Sequence, residues 1–184
     1  MHSTVSIEVA APPELVFGLA RDIERWPRLL PHYLSVRREG GGDPGHDGGR
    51  LDDRLVLRMV AVRPAFGLHG FGLPVVWRAR TWSEAETLRL RFQHLGGVTS
   101  GMDVTWRIDA TPTGCRVAIE HGFRRRLPIP FLEDLLGEEA LPSFVDRFFT
   151  RPIARRTLET FKALAEALTQ VGTSDQVAGT YPRT

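Results

Sequence analysis

The chain has 184 residues, 42% of them hydrophobic and 25% charged, with a net charge of +2; this is the balance of a soluble globular protein able to bury one core, without the basic footprint of a nucleic-acid partner. A single cysteine, Cys115, excludes a disulfide within the chain and fits a reducing compartment. No basic segment leading into an apolar run opens the sequence, and Arg58, Arg63 and His69 interrupt its longest apolar stretch, so a cytoplasmic protein that does not span a membrane is expected.

Residues Ser3 to Val9 alternate, with Val5, Ile7 and Val9 against Ser6 and Glu8, the period of a half-buried strand. Ala11-Pro12-Pro13-Glu14 ends that strand and opens a helix, because proline fits a first turn and an acid favours the positive helix end. Leu15, Val16, Leu19 and Ile23 line one side of it. A second short helix is expected from Trp26 to Leu30, stopped by Pro31, followed by a strand from Tyr33 to Arg38. Gly40 to Gly49 reads as a glycine-rich hairpin tip. Gly40, Gly42 and Gly45 have the G-x-G-x-x-G spacing of a dinucleotide site, but Pro44, more glycines and a strand follow where that site requires a helix N-terminus.

From Leu51 to Val62 the chain alternates again, with Leu55, Leu57 and Met59 on one face and Arg54 and Arg58 on the other. Pro64 to Pro74, rich in Gly and Phe around His69, is expected as a loop or lid over something apolar. Val75 to Trp82, Leu88 to Leu95, Asp103 to Asp109 and Cys115 to Arg124 are four further strands, and their short connections imply an antiparallel meander. Phe131 to Phe149 is expected to hold one or two short helices. Thr150 to Val171 reads as one long helix, with Ala154, Leu158, Phe161, Leu164, Ala165 and Leu168 in an apolar stripe, Thr150 as cap and Gly172 as stop. Residues 1–172 are then one domain and 173–184 a flexible tail.

One strand, two short helices, six strands and a long helix make an α+β order in which a curved antiparallel sheet of about seven strands must wrap the last helix to bury its stripe. The run from Ile7 to Phe17, then Asp22-Ile23-Glu24-Arg25-Trp26-Pro27 and Tyr33, resembles the opening of the START-like, Bet v 1-like helix-grip superfamily, in the manner of its polyketide cyclase/dehydratases and coenzyme Q-binding proteins. Gly101 to Trp106 and Glu120-His121-Gly122-Phe123 resemble the late strands of the same family. The resemblance implies an apolar cavity between sheet and long helix that takes a hydrophobic small molecule of the polyketide, lipid or quinone class. It leaves three outcomes: a cyclase-like enzyme, a non-enzymatic carrier or chaperone, and a protein-interaction module with a collapsed cavity. None of them needs a cofactor or a metal.

Alternation turns Met59, Trp77, Phe92, Trp106 and Ile119 inward, and with Met102 and Phe161 these are the expected ligand-binding positions. His94 and His121 fall on the same face. One strand separates theirs, so at about 4.8 Å per strand their backbones are expected roughly 10 Å apart, close enough to touch one ligand. By the resemblance, Tyr33 matches a cavity tyrosine of some aromatase/cyclases, and Tyr33 with His121 forms the candidate catalytic pair. The resemblance also implies cavity arginines, yet the alternation that turns Trp77 inward turns Arg78 and Arg80 outward; a register slip of one residue would reverse this. Arg89, Arg91 and Arg107 join them on a convex face with only Trp82 available for stacking, which reads as solvated surface. Arg124-Arg125-Arg126 beside Leu127, Ile129 and Phe131 is the candidate contact for an acyl carrier protein or a membrane surface, unless it pairs locally with Glu133, Asp134, Glu138 and Glu139. The oligomeric state stays open.

Overall fold

Seven runs of alternating side chains pair into one antiparallel sheet in the computed structural model, which describes residues 2–39, 55–64, 72–97, 99–123 and 140–178, with the backbone alone at 64, 140–142 and 172–178. The strands are β1 (His2–Val9), β2 (Tyr33–Arg38), β3 (Leu55–Pro64), β4 (Gly72–Glu84), β5 (Arg89–Gly97), β6 (Met102–Thr111) and β7 (Gly114–Phe123), in the order β1-β7-β6-β5-β4-β3-β2. The glycine-rich stretch from Gly40 to Gly49, the lid residues around His69, the Arg124-Arg125-Arg126 cluster and the acidic run after it lie outside the described residues. Part of the expected loop is strand: Gly72, Leu73 and Pro74 pair with Pro64, Arg63 and Val62.

Between β1 and β2 come α1 (Pro13–Arg21), a 3-10 turn (Ile23–Arg25) and α2 (Trp26–Leu29). Val16, Phe17, Ala20, Ile23 and Trp26 are buried, so both short helices close one end of the sheet with their apolar sides. After β7 come α3 (Ala140–Val145), a π turn (Asp146–Thr150) and α4 (Arg151–Ala178). Two expectations at the ends of this helix are corrected. Thr150 is not its cap, because its single Oγ1 proton points back within the π turn, shared between the Asp146 carbonyl and Asp146 Oδ1, each 2.9 Å away. Gly172 does not stop it, because the helical backbone continues through that glycine to Ala178.

The stripe of α4 buries Ile153, Ala154, Leu158, Phe161 and Ala165 against the sheet, whereas Leu168 is 49% exposed and lies beyond the contact. Burial of a side chain such as Leu158 or Phe161 contributes about 1.5–3 kcal/mol, which makes this stripe the main attachment of helix to sheet. Polar bonds fix its position along β1: Lys162 Nζ donates to the Glu8 carbonyl at 2.9 Å, and Glu166 Oε1 accepts from the Ala10 amide at 2.8 Å.

Two irregularities aim the inward rows. On β2 the register shifts between Tyr33 and Ser35, so Tyr33 is buried while Leu34 is 59% exposed. On β5 Leu95 is the extra residue, since Gly96 pairs with Arg78 and His94 with Ala79. With that register Trp77 and Ala79 point inward and Arg78 and Arg80 outward. The outer arginines meet acids or amides: Arg78 with Glu39, Arg80 with Gln93, Arg89 with Asp109, Arg91 with Glu84, and Arg107 with Glu120 and Asp109. This is a solvated lattice of cross-strand pairs, each worth little in stability.

Candidate functional site

A cavity of about 70 Å³ lies between the concave sheet and the first turns of α4, lined by Trp26, Tyr33, Met59, Trp77, Phe92, His94, Met102, Trp106, Ile119 and His121, with Phe149, Thr150 and Thr157 on the helical side. Both candidate catalytic residues and every candidate ligand-binding residue except Phe161 reach it. Phe161 is 1% exposed and packs edge-on against Trp26 and Trp106, with centroids 5.9 and 5.8 Å away, so it is core behind the cavity wall.

Trp26 was not picked out by alternation, because α2 is too short to show a period. It nevertheless stands at the centre, its Nε1 donating to the Ala20 carbonyl at 3.0 Å and its ring contacting Tyr33, Phe92, Trp106 and Phe161. This indole accounts for much of the small free volume. Arg63 was missed for a different reason: the expected strand stopped one residue short of it. The inward row of β3 runs Leu57, Met59, Ala61, Arg63, and Arg63, a residue only 9% exposed, holds its guanidinium 5.4 and 5.8 Å from the ring centres of Phe148 and Phe149. A buried cation thus backs one wall residue of the cavity, where the outward turn of Arg78 and Arg80 had left none.

The three buried histidines among the described residues, His32, His94 and His121, are uncharged at neutral pH. Burial pushes His94 down to about 3, with the neighbouring His121 adding to the effect. Burial likewise pushes His121 down to about 4, the Asp146 charge opposing and the Arg151 charge assisting, and it pushes His32 to about 4 with help from Arg156. His121 is therefore a weaker base than a histidine of ordinary pKa. Burial drives the Tyr33 phenol well above its usual range, partly offset by its hydrogen bond with Thr157. Thr157 Oγ1 donates to the Ile153 carbonyl at 2.8 Å, so it accepts from His32 Nε2, also at 2.8 Å, leaving His32 Nδ1 buried without a partner.

His94 Nδ1 lies 2.6 Å from Thr99 Oγ1, and its ring stacks on Trp77. His121 stands opposite Ser3 on β1, with Nδ1 3.4 Å from Ser3 Oγ. Ser3 in turn donates to Asp146 Oδ1 at 2.5 Å, and Asp146 also accepts from Thr150 at 2.9 Å and from Arg151 Nε at 2.6 Å. Burial alone would raise the Asp146 carboxyl; those donors and the Arg151 charge outweigh it and hold the group below the usual carboxylate range. Ser3 and Asp146 carried no signal in the sequence, since their partners are 118 and 143 residues away. No three His, Cys, Asp or Glu side chains among the described residues come together as a metal site, and no described helix is long and apolar enough to cross a membrane.

A family model described as polyketide cyclase/dehydrase and lipid transport matches residues 1–166. A candidate polyketide cyclase of Streptomyces halstedii is 28% identical over 117 residues, which are 61% of this chain and 92% of that one. Among solved structures, the Zhui aromatase/cyclase of Streptomyces sp. R1128 superposes with a TM-score of 0.64 at 18% identity, over 90% of this chain and 93% of that one. The di-domain aromatase/cyclase StfQ from the steffimycin biosynthetic pathway gives 0.68 at 14% identity, over 92% of this chain and 51% of its own. At such identities the two structures establish the helix-grip architecture and nothing about the reaction.

Proposed function

The chain belongs to the polyketide cyclase/dehydrase and lipid transport family, and from that premise we propose that it binds a hydrophobic small molecule of the polyketide, lipid or quinone class between the sheet and α4, with cyclase-like proton transfer by His121 and Tyr33. The observation that carries this reading is an uncharged imidazole and an uncharged phenol lining one aromatic cavity. At neutral pH His121 offers a lone pair and Tyr33 keeps its proton. A ketone-bearing chain held among Trp26, Trp77 and Trp106 then has a base for the proton α to its carbonyl and a hydroxyl for the oxygen that gains charge. Negative charge developing on that oxygen raises the histidine's pKa as the proton moves, which offsets the low basicity imposed by burial.

A second reading, an interaction module or a carrier without chemistry, draws on the cavity's size. About 70 Å³ is less than the roughly 150 Å³ known to hold a benzene ring. Ligand uptake therefore requires wall residues such as Phe149, or the stacked Trp77 and His94, to move. Titrating tryptophan fluorescence with flat apolar ketones and quinones, and following the products by mass spectrometry, separates these readings. A saturable response at micromolar ligand with cyclised product supports the cyclase. Saturation without conversion leaves the carrier, and no response to any such ligand favours the interaction module.

A further inference from the structure

A histidine that takes a proton must present the nitrogen that lacks one, and here the protonation site is set outside the cavity. Asp146 lies in the π turn, a local irregularity often found at functional sites, with its side chain buried and its carboxylate accepting from Ser3, Thr150 and Arg151. An ionised carboxylate only accepts, so the single hydroxyl proton of Ser3 is committed to Asp146 Oδ1. What Ser3 Oγ has left for His121 is a lone pair. The bond between them therefore forms with the proton on His121 Nδ1, and the lone pair of the ring falls on Nε2, on the far side of the imidazole from Ser3.

We propose that Ser3 and Asp146 are positioning residues that hold His121 as its Nδ1-protonated tautomer, so that Nε2 is the base offered to the bound molecule. The catalytic use of this arrangement rests on the cyclase reading above, whereas the tautomer itself does not. Burial keeps the imidazole neutral against the opposing Asp146 charge, and Ser3, hydrogen-bonded to both groups, lets the carboxylate orient the ring through a hydroxyl without taking its proton. Arg151, at the outer end, balances the Asp146 charge. On the other side of the ring His94, itself neutral and tied to Thr99, brings no charge that would reverse the assignment.

The test is nitrogen NMR of the full chain with 15N-labelled histidine at neutral pH, with His121 assigned by its loss in His121→Gln. The expected wild-type signature is a protonated, pyrrole-type Nδ1 and an unprotonated, pyridine-type Nε2. Ser3→Ala removes the acceptor and should move His121 toward the Nε2-protonated form that free imidazole side chains prefer, while Ser3→Thr, which keeps the hydroxyl, should retain the wild-type pattern. A wild-type ring protonated on Nε2, or a Ser3→Ala ring unchanged from wild type, overturns the proposal. The wild-type measurement needs no substrate and, for assignment, only the His121→Gln variant, so it decides the tautomer even where the cyclase reading fails. If the cyclase reading holds, Ser3→Ala should lower kcat at least 10-fold with KM nearly unchanged, and Ser3→Thr should recover most of it.

Discussion

Trp77 and His94 lie face to face across β4 and β5, with ring planes 8° apart and centroids separated by 5.9 Å. The stack depends on Gly97, the residue that pairs with Trp77 just past the bulge at Leu95. Gly97 has φ +86°, and a Cβ there would meet the Val76 carbonyl oxygen at 2.2 Å and the Trp77 Cα at 2.9 Å, both backbone atoms unable to swing aside.

Gly97→Ala should therefore push β4 away from β5 and cost about 2 kcal/mol or more in stability. Urea unfolding measures the loss, and near-UV circular dichroism should report the altered Trp77 environment. An alanine variant as stable as the parent, with the same aromatic spectrum, would contradict this account of the bulge.

Trp26 is the interior's main filler, so shortening it separates a pocket that is full from one that cannot exist. Trp26→Leu leaves an apolar residue in α2 while removing the indole that touches four other rings. Stability should fall by about 3 kcal/mol, within the range for large-to-small core changes. Added apolar ligands with a single aromatic ring should restore part of the lost thermal stability, because occupied space is favoured by mass action. A variant destabilised to the same degree but indifferent to every such ligand would argue that the interior is purely structural.

Acid should loosen the protein well before its surface carboxylates are protonated. His32, His94 and His121 are held at about 4, 3 and 4 against a normal value of 6.5. Between these limits the unfolded chain binds more protons than the folded one, so stability rises with pH through this window and is lost as pH falls from 6.5 toward 4 and below. Each histidine contributes a slope approaching about 1.4 kcal/mol per pH unit. Asp146, with its lowered pKa, adds loss in the same direction at more acidic pH. His94→Gln should reduce the slope by roughly a third in urea unfolding measured between pH 4.5 and 6.5. A parent protein whose stability does not change across that window would mean that the rings are not buried in solution.

What the sequence disclosed follows from physical range. A two-residue period is written into each strand, so β1, β6 and β7 and the inward rows through Trp77, Trp106 and Ile119 were legible, as was the apolar stripe of α4 as far as Ala165. Short or irregular pieces carry no period. Trp26 sits in a four-residue helix, and the π turn erased any boundary at Thr150. Arg63 was lost because the expected strand ended at Val62, whereas β3 runs on to Pro64. The contacts that prepare His121 were beyond reach, because a serine at position 3 and an aspartate at position 146 meet only through the closure of the whole sheet around α4. Polar residues announce what they can do, and the fold decides for whom.

The last prediction concerns His121 and Tyr33 together, where catalysis and mere binding part company. His121→Gln keeps a polar side chain of similar size that cannot accept a proton from carbon, and Tyr33→Phe keeps the edge-on ring contact with Trp26 while removing the hydroxyl. A carrier uses only the surfaces of these residues, so both variants should bind a polyketide-like ligand within a few-fold of the parent. In a cyclase, proton transfer is lost as well, and turnover should fall on the order of 100-fold for His121→Gln and at least 10-fold for Tyr33→Phe. If both groups act in the same transition state, the double variant should be little worse than His121→Gln alone, because groups that work as a unit are not additive. Single-turnover assays with product analysis measure all three variants. Parent-level turnover in His121→Gln would end the acid–base role of this histidine, whatever the fluorescence titration shows about binding.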